Sequence, residues 1–131
     1  MADRQQRPEA SGTDDERGLR TPAAYSIRSG VADNVLVLEG ELDIAAAPQL
    51  RKRFAEVTGD ALVLDLERTT FIDSAVLREL LRARAQLAER GMRLVLAAVP
   101  PPVRRLMDLT RTSELFEQAP DAETALRRLS G

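Results

Sequence analysis

Apolar residues occur in short runs along this chain, and the spacing inside each run predicts a secondary structure. Two nearly continuous apolar runs, at 61–66 and 92–99, are typical of strands that are covered on both faces. Apolar residues spaced by three and four positions within 45–57 and 74–90 predict two amphipathic helices. Gly91 follows the second of these helices and is expected to end it.

The other predicted elements are shorter and are bounded by turn residues. Strands are expected at 25–28 and 35–39, and the turn residues between them predict a hairpin. The segment 40–43 is expected to end the second of these strands. The remaining predicted elements are a short helix after the prolines at 100–102, a short strand at 115–117 and a last helix after Pro120.

The predicted order of elements is therefore ββαβαβαβα. Buried strands that alternate with helices predict an α/β fold, in which a mixed, mostly parallel sheet is packed with helices. The opening hairpin adds one antiparallel strand. Residues 1–20 are polar and lack periodic apolar positions, so we expect a flexible N-terminal tail followed by one domain at 21–131.

The composition removes several classes of function. The chain has no cysteine and no histidine, which excludes thiolate metal sites and removes the commonest general base. It has no glycine-rich phosphate loop, and its net charge of −2 gives no attraction toward nucleic acid or anionic membranes. Neither a long apolar run nor a secretory signal is present. We therefore expect a cytoplasmic protein without catalytic residues, metal, cofactor, nucleic-acid partner or membrane insertion.

One strand–loop–helix stretch, LVLDLERTTFIDSAVLRELL at 62–81, carries the most chemistry. It places a carboxylate, Asp73, and a hydroxyl, Ser74, at the start of a predicted helix. Free backbone N–H groups and the helix dipole favour a phosphate or a docking contact at such a position. Either residue can also cap the helix, which contributes about 1 kcal/mol, and capping is compatible with docking.

Three motifs, in this order, resemble those of the STAS domain, the fold of bacterial anti-sigma factor antagonists. The first is GELDIAAAPQL at 40–50, which follows an apolar strand. The second is LVLDL at 62–66, followed by FIDS at 71–74 and a leucine-rich helix. The third is PVRRLMDL at 102–109, with Leu115 and Phe116 beyond it. The resemblance spans about residues 21–130.

The resemblance implies a binding module and not an enzyme. Such antagonists bind a histidine-kinase-like ATPase that acts as the anti-sigma factor, and they thereby release a sigma factor. This partner is a serine kinase that can phosphorylate the loop-to-helix motif, after which the antagonist is released and a phosphatase resets the cycle. A phosphoserine would bring nearly two negative charges into an interface that is packed around a small hydroxyl.

The motif departs from the family pattern at two positions. The family reads Asp-Ser-Ser/Thr-Gly-Leu, and its phosphoacceptor lies two residues after the aspartate. Here the stretch is Asp73-Ser74-Ala75-Val76-Leu77, so the acceptor position is Ala75, which cannot be phosphorylated. Ser74 is a phosphorylation candidate, although one residue on a helix is a rotation of about 100° and a rise of about 1.5 Å. Val76 replaces the glycine and either packs inward or fills the approach of a partner.

The resemblance also implies a partner-binding surface at the loop after the second strand and along the second long helix. Its residues are Glu41, Asp43, Ile44, Asp73, Ser74, Ala75, Val76, Leu77 and Arg78. The paired carboxylates Glu41 and Asp43 can alternatively serve acid–base chemistry, but no nucleophile or metal ligand set accompanies them. The alternative function is a STAS regulatory subunit of a lipid-transport ABC complex, because such family members also carry Ser-Ala in this motif.

Overall fold

The computed structural model describes residues 24–130, and the predicted tail at 1–20 lies outside the described residues. Within these residues, six strands form one sheet: β1 (Tyr25–Ser29), β2 (Val35–Leu42), β3 (Ala61–Asp65), β4 (Thr69–Ile72), β5 (Arg93–Ala97) and β6 (Glu117–Ala119). The helices of the same part of the chain are α1 (Ala47–Glu56), α2 (Ser74–Glu89), α3 (Pro101–Leu109) and α4 (Ala122–Ser130). Short 3₁₀ turns at Ile44–Ala46 and Ser113–Leu115 precede α1 and β6.

The sheet is mostly parallel and branches beside β2. Its strands follow the order β1-β2-β3-β5-β6, while β4 pairs only with β2. β1 is antiparallel to β2, and the other pairings among the described strands are parallel. β2 pairs with β3 along residues 35–37 and with β4 along residues 40–42. The predicted α/β fold with a mixed, mostly parallel sheet is therefore confirmed.

Leucines and valines alternate along the central strands and build two separate cores. The leucines of β2, β3 and β5 pack with α1, α2 and α3 in one large cluster. The valines of the same strands form a smaller cluster with α4 on the other side of the sheet. Successive side chains of a strand point to opposite faces, so burial of both faces explains the nearly continuous apolar runs in the sequence.

The predicted end of the second strand at 40–43 is wrong, because β2 continues to Leu42. Residues 69–72, which the pattern assigns to a loop, form β4 beside this extension. The buried hydroxyl of Thr69 donates a hydrogen bond of 2.8 Å to the Leu38 carbonyl and ties the two strands together. The observed order is therefore ββαββαβαβα. A strand of four residues with two threonines has no apolar period, so the sequence pattern does not reveal it.

Two predicted boundaries also differ from the structure. The helix predicted at 45–57 begins with the 3₁₀ turn Ile44–Ala46 and ends at Glu56. The strand predicted at 115–117 lies instead at Glu117–Ala119, because Leu115 belongs to a 3₁₀ turn. Both differences arise where a short turn, which has no apolar periodicity of its own, joins a regular element.

Gly40 allows β2 to pass the point where its parallel neighbour changes from β3 to β4. Its φ of 86° lies in the left-handed region, and the register of β2 against β4 shifts between Gly40 and Glu41. A Cβ atom at this position would lie 2.1 Å from the carbonyl oxygen of Ala24. Both the backbone conformation and the close approach of the chain before β1 therefore require a glycine.

The charged pair Arg51 and Glu79 joins α1 to α2. The Arg51 Nη2 atom lies 2.6 Å from Glu79 Oε2, and Arg51 Nε lies 3.4 Å from Glu79 Oε1. Only 6% of the Glu79 side chain is exposed, whereas 53% of the Arg51 side chain is exposed. The hydrogen bond from Arg51 holds the pKa of the Glu79 carboxyl below its ordinary value. The ionised carboxylate is thus favoured in the folded protein.

We expect Gly40→Ala to destabilise the protein much more than Gly59→Ala. Both glycines have a positive φ, at 86° and 95°, so alanine pays a similar conformational cost of about 1 kcal/mol at either position. Gly59 has no atom within 4 Å of the added Cβ, whereas Gly40 meets a backbone oxygen. In urea unfolding, Gly40→Ala should therefore lower the free energy of unfolding by about 2 kcal/mol more than Gly59→Ala does. Equal losses in the two variants would contradict this account of Gly40.

We expect the stabilisation that Glu79 provides to disappear in acid. Because the folded-state pKa is lowered, the contribution is fully present above the ordinary carboxyl pKa and is lost as the pH falls through the folded-state value. Because half of the Arg51 side chain is exposed to solvent, wild type should exceed Glu79→Gln in unfolding free energy by only about 1 kcal/mol at pH 7. Urea titrations should show this difference shrinking as the pH falls below the ordinary carboxyl pKa. A difference independent of pH would mean that packing, and not charge, is what Glu79 contributes.

Candidate functional site

Asp73 connects two segments at the carboxyl ends of β2 and β4. Its Oδ1 atom accepts a hydrogen bond of 3.0 Å from the Val76 N–H and caps α2. Its Oδ2 atom accepts one of 3.1 Å from the Ile44 N–H, in the 3₁₀ turn that follows β2. Its own N–H donates to the Leu42 carbonyl at 3.2 Å. The sequence allowed either Asp73 or Ser74 as the helix cap, and the structure shows that the cap is Asp73.

Asp43 orders the 3₁₀ turn beside this cap. Its Oδ1 atom accepts a hydrogen bond of 3.0 Å from the Ala45 N–H, so its carboxylate caps the turn. The nearby Tyr25 hydroxyl donates to Gln49 Oε1 at 3.4 Å. Partial burial raises the pKa of Tyr25, and the negative charge of Asp43 raises it further. Asp43 thus has a local structural role in addition to being exposed at this edge.

Glu41 lies on the same edge with an exposed side chain. Its N–H donates a hydrogen bond of 3.0 Å to the Ala24 carbonyl, which fixes the last part of β2 against the chain that leads into β1. In the part of the chain that the structure describes, no three His, Cys, Asp or Glu side chains come together as a metal site. Glu41 and Asp43 are exposed carboxylates at the end of β2 and directly after it.

The first residues of α2 differ sharply in exposure. Ser74 is exposed, Ala75 is half-buried and Arg78 is exposed, whereas Val76 and Leu77 lie in the core at 0% and 3% exposure. Of the two orientations that the sequence allows for Val76, the structure has the inward one. The valine at the family's glycine position therefore does not block the surface. Val76 and Leu77 anchor the helix start from below, and their side chains are not available to a partner.

Two apolar side chains are exposed at this edge of the sheet. Ile44 is 69% exposed and Phe71 is 48% exposed. The register of β2 against β4 pairs Phe71 with Glu41, which places the ring beside residues already predicted for the site. Sequence reasoning did not single out Phe71 as a site residue because it assigned 69–72 to a loop. The strand register is the signal that identifies it.

Other residues considered in the sequence have local roles or lie on other elements. The Asp65 Oδ1 atom accepts a hydrogen bond of 3.0 Å from the Glu67 N–H within the loop that follows β3. Arg104 and Arg105 are exposed on α3. No helix among residues 24–130 has the length and apolar character needed to cross a membrane.

The edge residues together form one exposed surface at the carboxyl ends of β2 and β4. For brevity we call the exposed residues Glu41, Asp43, Ile44, Phe71 and Ser74, together with half-buried Asp73 and Ala75, the carboxyl edge. The edge combines a hydroxyl, carboxylates and two apolar side chains on backbone that is fixed by hydrogen bonds. Such a surface can form a protein–protein contact with an apolar centre and a polar rim.

Comparison with known proteins gives a consistent assignment of the domain. The family model described as "Mlab, STAS domain" matches residues 26–117. An anti-sigma factor antagonist from Mycobacterium paratuberculosis is 27% identical, with a TM-score of 0.71, and the match covers 86% of this chain and 100% of that one. The phosphorylated form of the Bacillus cell fate determinant SpoIIAA is 22% identical, with a TM-score of 0.60 and coverages of 81% and 99%.

The same fold also occurs in a protein of a different class. A sulfate transporter family protein from Wolinella succinogenes is 17% identical, with a TM-score of 0.66, and the match covers 72% of this chain and 82% of that one. At this identity the likeness concerns the fold alone. The matched family model and the strand and helix order agree with the three sequence motifs, and the chain therefore belongs to the STAS domain family.

Proposed function

We propose that this protein is an anti-sigma factor antagonist that binds a histidine-kinase-like anti-sigma factor through the carboxyl edge and Arg78, and so releases a sigma factor. The observation that carries the proposal is the double hydrogen bond of Asp73, which holds the Ile44 turn and the start of α2 side by side. The likeness to a solved antagonist at 27% identity supports the same class of function. The role proposed for the protein is binding, and no catalytic residue is assigned.

The proposed contact has a simple physical basis. The half-exposed ring of Phe71 and the exposed side chain of Ile44 supply apolar area, and the carboxylates of Glu41 and Asp43 form a charged rim. Burial of apolar area contributes roughly 25 cal/mol per Å², whereas rim charges mainly set orientation and association rate. Because the backbone of the edge is already fixed, little conformational entropy is lost on binding.

We further propose that the antagonist works without the family's phospho-switch. Ala75 occupies the acceptor position and has no hydroxyl, while Ser74 lies one residue earlier on the helix. In-line phosphoryl transfer depends on the position of the attacking oxygen, so an offset of one helical residue strongly disfavours transfer to Ser74. The protein would then remain in its binding state, with regulation acting on the partner. Neither a phosphatase nor a phosphorylated form is required by this scheme.

A second candidate is a STAS regulatory subunit of a lipid-transport ABC complex. It is favoured by the Ser74-Ala75 pair, and the matching family model names the STAS domain without naming an antagonist. Purification of the protein from its native cell distinguishes the two. Recovery of a histidine-kinase-like ATPase supports the first proposal, and recovery of an ABC ATPase supports the second.

We expect the wild-type protein to stay unphosphorylated when it is incubated with the cognate anti-sigma kinase and ATP. The matched variant Ala75→Ser restores a hydroxyl at the acceptor position and should gain one phosphate, because its oxygen lies where the family pattern has it. Intact mass spectrometry measures both, with Ser74→Ala as the control for modification at Ser74. A stoichiometric phosphate on wild type that is lost in Ser74→Ala would overturn the proposal of a permanently unphosphorylated antagonist.

We expect Asp73→Ala to lower the free energy of unfolding by about 2 kcal/mol and Asp73→Asn by about 1 kcal/mol. An asparagine retains one acceptor oxygen, so it can satisfy one of the two N–H groups but not both. Both variants should weaken binding to the anti-sigma factor, since the Ile44 turn is released from α2.

Asp65→Asn is the matched control for these variants. Asp65 also accepts a backbone N–H at a strand end, but it lies outside the carboxyl edge. Urea unfolding and titration calorimetry measure the two effects separately. If both Asp73 variants are folded and bind with unchanged affinity, that result would argue against this edge as the binding site.

A further inference from the structure

A cluster of three arginines surrounds the buried carboxylate of Glu79 on the surface formed by α1 and α2. Arg51 forms two hydrogen bonds with Glu79, and Arg82 Nε lies 3.8 Å from Glu79 Oε1. Arg78 adds its positive charge, which helps to hold the pKa of the Glu79 carboxyl below its ordinary value after the larger effect of Arg51. We call Arg51, Arg78 and Arg82 the basic cluster.

The basic cluster carries more positive charge than Glu79 can balance. Three guanidinium charges act on one carboxylate, so two positive charges remain on a protein whose net charge is −2. Half of the Arg51 and Arg82 side chains is exposed, at 53% and 49%, and Arg78 is exposed without an ion-pair partner among residues 24–130. The guanidinium N–H groups that do not contact Glu79 are therefore free to meet acceptors from another molecule.

The basic cluster is continuous with the carboxyl edge along α2. Ser74, Arg78 and Arg82 are spaced by four residues, and residues with this spacing lie on one face of a helix. A partner that covers Ser74 and Ile44 and extends along α2 by two turns would reach both arginines, because each turn rises about 5.4 Å. The two surfaces can therefore belong to one interface.

We propose that the basic cluster receives an acidic segment of the partner protein, with Asp or Glu carboxylates opposite Arg78 and Arg82. This inference rests on the proposed function, and it specifies the chemistry of the partner's surface. Planar guanidinium groups pair with carboxylates through two parallel hydrogen bonds, which fixes orientation as well as charge. The partner's carboxylates would balance the two positive charges of the basic cluster that Glu79 does not balance.

Charge favours an acidic protein segment over nucleic acid at this surface. Electrostatic binding of a duplex ordinarily uses several phosphate contacts, and the cluster has only two unbalanced charges. The carboxylates of Glu41 and Asp43 lie at the adjoining edge and would repel a phosphate backbone. A protein partner can place its acidic residues opposite the arginines alone.

The test compares Arg78→Gln/Arg82→Gln with Arg104→Gln/Arg105→Gln. Both double variants remove two exposed arginines from a helix and change the net charge equally, but the second pair lies on α3. Arg51 is kept, so the first variant retains a neutral Arg51–Glu79 pair and the link between α1 and α2. Urea unfolding establishes that both variants are folded.

Affinity for the purified cognate anti-sigma factor is measured over a series of salt concentrations. We expect Arg78→Gln/Arg82→Gln to weaken binding on the order of tenfold at low salt and to flatten the dependence on salt. The control variant should bind like wild type. Equal affinity and equal salt dependence in wild type and Arg78→Gln/Arg82→Gln would overturn the inference and remove Arg78 from the proposed surface, while binding by wild type would still support the antagonist function through the carboxyl edge.

Two further outcomes separate the remaining possibilities. If wild type itself fails to bind the anti-sigma factor at low salt, the proposed function is wrong and this inference is wrong with it. A random-sequence DNA duplex serves as the second probe. Binding of this duplex by wild type that is lost in Arg78→Gln/Arg82→Gln, but kept in the α3 control, would overturn the assignment of an acidic protein segment.

Discussion

The geometry of the carboxyl edge depends on one carboxylate, Asp73, which joins chain segments 29 residues apart in sequence. One oxygen satisfies an N–H at the start of α2, and the other satisfies the Ile44 N–H. Without it, two backbone donors would lose their partner, and the turn after β2 would be held only by its own short hydrogen bonds. A carboxylate suits this position because it accepts on both oxygens and lies at the positive end of a helix. The residue that reads as a helix cap in the sequence is therefore also a long-range connector.

The fold supports this edge from below. Leucines on one face of the sheet pack against three helices, so α1 and α2 are held firmly where they leave the edge. Valines and alanines on the other face form a smaller core that packs against α4. The core on the leucine face is therefore the larger of the two. Rigid elements position surface residues more precisely than loops do, which suits the binding role proposed for this edge.

The replacement of the family's glycine by Val76 has a clear structural basis. The side chain lies entirely in the core, so the substitution adds apolar contact beneath α2 and leaves the surface open. Ala75, one residue earlier, is half-buried and removes the hydroxyl of the family pattern. The two substitutions therefore have separate consequences: Val76 strengthens the anchoring of the helix, and Ala75 concerns only the chemistry of the surface.

The sequence by itself determined the elements with strong apolar periods, the α/β class and the position of the Asp73-Ser74 helix start, because these depend on local spacing. It did not reveal β4, whose four residues have no period of their own and are stabilised by pairing with β2. The pattern also predicted wrongly that the second strand ends at Gly40. A glycine is needed there because the Ala24 backbone approaches closely and because β2 changes its parallel neighbour from β3 to β4, and neither reason is visible in the local sequence. The direction of Val76, the exposure of Phe71 beside Glu41 and the contact of Asp73 with Ile44 were decided by tertiary structure. Each of these depends on residues that are distant in sequence, and no local pattern encodes which distant residue a side chain will meet.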